Sequence, residues 1–209
     1  MADTKESPNT MTKVIDYYFS LSSPWTYLGS ARLSEIAKRH GAVVRHKPVN
    51  LHAVFQATGG LPLSQRPPAR QRYRLIELRR WREHLGVQLI LEPRYFPVDA
   101  TLAAHWVIAA ETQGADPGGL AHAILRAVWA EDRNIADADT LAAIAQEYSY
   151  DAATIAAQAD AQSTQAAFAA LTQEAIDRDV FGAPTYIVDS EPFWGQDRLD
   201  FVDRGLLRV

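Results

Sequence analysis

The segment Val14 to Ser20 (VIDYYFS) is crowded with aromatic and β-branched residues and reads as a buried strand. Ser23 and Pro24 then supply a cap residue followed by proline at a first helical position. In WTYLGSARLSEIAKRHG (25–41), Tyr27, Leu28, Ala31, Ile36 and Ala37 recur on roughly one face, and Gly41 is a good C-terminal stop. A second strand, AVVRHKPVN (42–50), follows at once, so the first fifty residues predict a βαβ unit with a right-handed crossover.

The periodicity then changes. ARQRYRLIELRRWREHL (69–85) is helical in pattern, with Tyr73, Ile76, Leu78 and Trp81 as core candidates. Alanine-rich stretches near 98–113, 118–130, 138–147 and 151–178 read the same way. After Phe181, PTYIVD (184–189) alternates toward a turn at Asp189–Ser190, EPFWG (191–195) predicts a further short strand, and a terminal helix is expected from about Asp197. The plan is βαβ, a long helical stretch, then ββα. Residues 13–50 and 179–209 are expected to share one sheet, residues 51–178 to form an all-helical insertion covering one side of it, and residues 1–12 to be a loose tail.

Composition narrows the chemistry. With 209 residues, 47% of them hydrophobic and 22% charged, the chain can bury a sizeable core. A net charge of -4 gives no general electrostatic reason to bind nucleic acid or an anionic membrane. No run approaches the ~18 apolar residues of a membrane span, and the polar N-terminus lacks the apolar core of a signal peptide, so a cytoplasmic location is the default expectation. Most decisive is the absence of cysteine, which removes disulfides, thiolate metal sites and any protein thiol as nucleophile. The six histidines are scattered without metal-ligand spacing, so no metal is expected.

Four segments, DYYFSLSSPWTYLG (16–29), TGGLPLSQRPPARQRYRLIELRRW (58–81), VFGAPT (180–185) and FWGQDRLDFV (193–202), occur in an order that resembles the 2-hydroxychromene-2-carboxylate isomerase family. That family is related to kappa-class glutathione transferases within the DsbA-like branch of the thioredoxin fold. The resemblance implies an α/β, thioredoxin-like sheet with the large helical insertion. It also implies a glutathione cofactor, a small aromatic carboxylate substrate, a homodimer as candidate assembly, and isomerisation to a trans-o-hydroxybenzylidenepyruvate by reversible thiol addition. Kappa-type conjugation or peroxide reduction, and glutathione binding without catalysis, are the alternatives.

The resemblance also distributes roles. Ser23 stands where disulfide oxidoreductases of this fold carry cysteine, so its hydroxyl would hydrogen-bond an external thiolate that the helix dipole also favours. Simple helix capping by Ser23 is the plain alternative, and Ser22 is the competing serine. Ala183 and Pro184 match the fold's cis-proline loop, whose backbone would pair with the cysteinyl part of glutathione, although an ordinary strand-initiating proline also fits. Trp194, Gly195, Gln196 and Asp197 lie at a strand-to-helix junction. Its free N–H groups suit the γ-glutamyl carboxylate, with Asp197 available to the ammonium group and Gln196 to cap or hydrogen-bond; capping alone is again the alternative. Gln65 occupies a glutathione-contacting position where some members carry asparagine, and Phe96 sits in a proline-bracketed loop that either walls the site or packs in the core. Of the seven arginines between 66 and 82, most read as a solvated face, with one or two able to steer an anionic substrate.

Overall fold

Strand β1 (Val14–Phe19) sits centrally in the sheet because its aromatic run can be buried on both faces. In a computed structural model that describes residues 12–208, it pairs in parallel with β2 (Val43–Pro48) and antiparallel with β3 (Thr185–Val188), which pairs antiparallel with β4 (Glu191–Trp194). The order β2-β1-β3-β4 joins the two ends of the chain into one mixed sheet. The proposed loose tail lies outside the described residues except for Thr12.

Helix α1 (Pro24–His40) connects β1 to β2 and ends on Gly41, whose φ of 60° is the left-handed conformation that a C-terminal stop requires. Its buried stripe uses Leu33 where the sequence suggested Ala31; two residues apart, the two lie about 200° around the helix, and Ala31 faces outward. Helix α2 (Leu51–Thr58), capped by Asn50, was not anticipated, its eight residues being too short for a clear period. Helix α3 (Pro68–Leu85) follows. Only Leu78 of its four core candidates is fully buried and Trp81 is half-buried, while Tyr73 and Ile76 are exposed. At 100° per residue those two point away from the Leu78–Trp81–Leu85 stripe, so hydrophobicity alone misplaced them.

Next come α4 (Thr101–Thr112), α5 (Pro117–Trp129) and α6 (Ala138–Glu147). The predicted single helix over 151–178 is two, α7 (Ala152–Ala159) and α8 (Gln162–Asp177), broken at Asp160–Ala161 with Ala161 in an extended conformation. The chain closes with a 3-10 turn (Gln196–Arg198) leading into α9 (Leu199–Leu206). Among the described residues no helix is long and apolar enough to cross a membrane.

Alternation along β1 divides the core. Ile15, Tyr17 and Phe19, with Tyr186 and Val188 of β3, face a large cluster that includes α1, α4, α5 and α9. Tyr18 and Ile187 face the other way, onto Val54 of α2 and Ala175 of α8. The helical insertion therefore meets both faces rather than one, because α8 returns across the sheet before β3. A polar clasp fixes it there. Lys47 lies 3.1 Å from Asp16 and 2.6 Å from Glu174, Arg178 lies 2.6 Å from Asp16, and the Tyr18 hydroxyl donates to Glu174 at 2.7 Å. Burial alone would raise both acids, yet the bonded cations hold Asp16 and Glu174 below the usual carboxylate range.

Candidate functional site

The sharp turn after β1 is closed by the Ser23 N–H donating to the Ser20 carbonyl at 3.1 Å. This leaves Ser23 extended, with φ -85° and ψ 123°, at the N-cap of α1. Its Oγ accepts from the Thr26 N–H at 3.2 Å and reaches the Ala183 carbonyl at 3.4 Å, while the residue as a whole is buried. Capping and site placement are thus properties of one side chain. Ser22 is turned elsewhere, its hydroxyl 3.1 Å from that of Ser20.

The Ala183 carbonyl belongs to the loop before β3, in which the Ala183–Pro184 bond is cis. Thr185 anchors this loop by donating to the Gly182 carbonyl at 2.7 Å, and the Pro184 carbonyl accepts from the Gly195 N–H at 2.9 Å. That second bond draws the 195–197 junction against the loop. Gly182 has no side chain for a reason visible in space: a Cβ there would strike the indole nitrogen of Trp194. Trp194 and Phe181 meet edge to face at 4.9 Å and both stay about half exposed, forming an aromatic rim.

Gly195 has φ 103°, a conformation closed to most side chains, and no side chain caps the turn it opens. The first N–H groups of that turn are therefore available to an anion. Gln196 is almost fully buried, and its carbonyl and side-chain oxygens accept from Arg32 at 3.3 and 3.1 Å. Of the two expected roles, capping or hydrogen bonding, it takes the second, as a brace between the junction and α1. Arg198 lies 2.7 Å from Asp197 in an exposed ion pair.

Ser23, Ala183, Pro184, Gly195, Gln196 and Asp197 are thus linked through direct hydrogen bonds or chain continuity, with Trp194 at the edge. Gln65 is exposed in a separate 3-10 turn (Leu63–Gln65) and makes no side-chain hydrogen bond among the described residues. Phe96 packs 4.9 Å from Trp129 and beneath Arg74, against the large core cluster, and makes no hydrogen bond or ring contact with the Ser23–Ala183 group among the described residues. Arg32, Gly29, Phe181 and Gly182 were missed. A glycine inside a helix is a usable signal of close approach, and a Cβ on Gly29 would sit 2.8 Å from the Tyr186 hydroxyl and 2.9 Å from Gln196 Cβ. Arg32 gave no such sign, since its partners lie more than 160 positions away.

Comparison with known proteins agrees with this architecture. The family model of the DSBA-like thioredoxin domain matches residues 14–206. A protein of Sphingobium xenophagum named 2-hydroxychromene-2-carboxylate isomerase is 29% identical over 199 residues, covering 94% of this chain and 100% of the relative. One of the same name from Pseudomonas putida is 29% identical, with 94% and 95% covered. A solved structure of 2-hydroxychromene-2-carboxylate isomerase superposes with a TM-score of 0.75 at 25% identity, covering 92% of this chain and 94% of that one.

Proposed function

The chain belongs to the DSBA-like thioredoxin domain family, and on that premise we propose that it is an isomerase of 2-hydroxychromene-2-carboxylate-like compounds that borrows the thiol of glutathione. One observation carries the reading. Where the fold can present a nucleophilic sulfur at a helix start, this cysteine-free chain presents the hydroxyl of Ser23, flanked by the Ala183 carbonyl. The relatives' name supplies the reaction class, isomerisation.

Bound glutathione would supply a thiolate whose reversible addition to a conjugated carbon turns a double bond into a rotatable single one. The chain's own task is to position and to stabilise charge. Ser23 Oγ would donate to the sulfur, worth about 1.5–3 kcal/mol for a charged acceptor, and the α1 dipole adds about 0.3–1 kcal/mol. Ala183 offers backbone polar groups to the cysteinyl residue, and the N–H groups after Gly195 face the γ-glutamyl carboxylate. Gly182 lets the Trp194 indole pack against the loop and Gly195 leaves room for the Asp197 carboxylate, so that Trp194 and Asp197 would border the bound peptide.

The test is Ser23→Ala. Losing the thiolate hydrogen bond should reduce glutathione-dependent turnover of a chromene carboxylate roughly 10- to 100-fold. Loss of the cap should lower the melting temperature by only about 2–4 °C. Unchanged turnover would remove Ser23 from the mechanism. Turnover of an electrophilic aryl halide in place of the chromene would shift the reaction class to transfer.

A further inference from the structure

Helices α1 and α5 run antiparallel. Ser30 Oγ lies 2.8 Å from His122 Nδ1, while Tyr27, one turn nearer the start of α1, feels the charges of Arg126, one turn further along α5, and of Glu131 just past its end. Continuing that register brings Trp129, the last residue of α5, to the end of α1 that carries Ser23. The segment between α3 and α4 confirms the placement. Tyr27 donates to the Gln88 carbonyl at 2.9 Å, and two residues on the Ile90 N–H donates to the Trp129 carbonyl at 2.6 Å.

At this end of the molecule the Arg74 guanidinium lies over Phe96 at 4.9 Å and over Trp129 at 5.7 Å. Two donors there have no partner: the buried Arg74 Nη2 and Trp129 Nε1. Leaving buried donors unpaired is costly, so such a pair marks a place where an acceptor is wanted. Arg70 precedes Arg74 by four residues on α3, and Arg66 lies just before that helix in an extended conformation. None of these three pairs with a carboxylate among the described residues; Glu77 and Glu83 are taken by Arg80 and Arg82. Burial and the nearby Arg66 bring the Arg74 guanidinium down to about 10, still a cation at neutral pH but one with unmet demand for negative charge.

We propose that Arg74 binds the carboxylate of the aromatic substrate beside the partly buried Phe96 ring, with the fully buried Trp129 as the floor beneath the guanidinium. This rests on the isomerase reading given above and deepens it by assigning the substrate's anionic end. A planar guanidinium on an aromatic floor matches a flat, conjugated carboxylate in both charge and shape. Arg66 and Arg70 supply the field that draws the anion in.

The experiment is calorimetric titration of the full chain, without glutathione, using cinnamate as the carboxylate probe and cinnamyl alcohol as its neutral counterpart. Cinnamate should bind the parent chain more tightly than the alcohol. Arg74→Met should weaken cinnamate at least tenfold and leave the alcohol within twofold. Arg74→Lys, which keeps the charge and loses the planar fork, should fall between them and guards against a misfolded methionine variant; both variants' circular dichroism is compared with the parent. Glutathione affinity should stay within twofold in each. Failure of cinnamate to bind, an unchanged affinity in folded Arg74→Met, or an equal loss of glutathione affinity overturns the assignment. Ser23→Ala should leave cinnamate binding intact, so a failure of the Ser23 mechanism is read separately.

Discussion

Replacing Gly29 with alanine tests fold and site together. Within a helix, glycine to alanine is worth about 1 kcal/mol in favour of alanine. Here the added Cβ would stand 2.8 Å from the Tyr186 hydroxyl, 2.9 Å from Gln196 Cβ and 3.6 Å from Gln196 Cα. Tyr186 is fully buried, its hydroxyl has no partner, and burial pushes its ionisation far above the ordinary range, so its ring has nowhere apolar to retreat. Overpacking of this kind costs about 1–3 kcal/mol. The net loss is then about 1 kcal/mol, a fall in melting temperature of roughly 2–4 °C for a chain this size. The larger effect should fall on the ligand. Gln196 can yield only by moving the backbone that carries the junction's free N–H groups. Half the strength of one charge-assisted hydrogen bond, about 1 kcal/mol, corresponds to about fivefold weaker glutathione binding. Thermal unfolding by circular dichroism and calorimetric titration with glutathione read the two quantities. A variant that melts higher and binds glutathione as tightly as the parent would refute the close packing of α1 against the 195–197 junction.

Lys47→Met should cost about 2 kcal/mol at neutral pH by removing the ammonium group shared by Asp16 and Glu174, which are left with Arg178 and the Tyr18 hydroxyl. Asp16 and Glu174 are held below their unfolded values, so the clasp contributes fully above about pH 4–5 and loses its contribution as pH falls through the folded values. Urea unfolding against pH should therefore show the parent and the variant converging in acid; a constant difference would contradict the clasp. Leu78→Ala, at the buried centre of the α3 stripe, should lose about 2–5 kcal/mol, whereas Ile76→Ser on the exposed face should change stability by less than about 0.5 kcal/mol, both measured by urea unfolding.

The sheet was legible in the sequence because its strands are short, aromatic and punctuated. VIDYYFS, the cap at Ser23–Pro24 and the stop at Gly41 each act locally, and local rules placed β1 and α1 within a residue. The break between α7 and α8 was not legible, since Asp160–Ala161 carries neither glycine nor proline. The exposure of Tyr73 and Ile76 depends on which side of α3 meets the core, which no periodicity within α3 decides unaided. The candidate site shows the same division. Ser23 is marked locally by its serine–proline cap signal, whereas the Ala183–Pro184 loop and Gly195 came only through the resemblance, their cis bond and positive φ being visible in the structure alone. That Gln196 hydrogen-bonds was legible, but its partner was not, because Arg32 comes from a helix more than 160 residues earlier. Arg74, one arginine among seven, is distinguished only by Phe96 and Trp129 arriving from two other segments.

The central claim is that Ser23 and the start of α1 stabilise a borrowed thiolate. The direct measurement is the ultraviolet thiolate absorbance of glutathione bound to the protein, followed against pH in the parent and in Ser23→Ala. The account predicts a midpoint at least one unit below the ordinary thiol value of about 8.5 in the parent, moving part of the way back in the variant, where the dipole remains. Identical midpoints in the two proteins would contradict it.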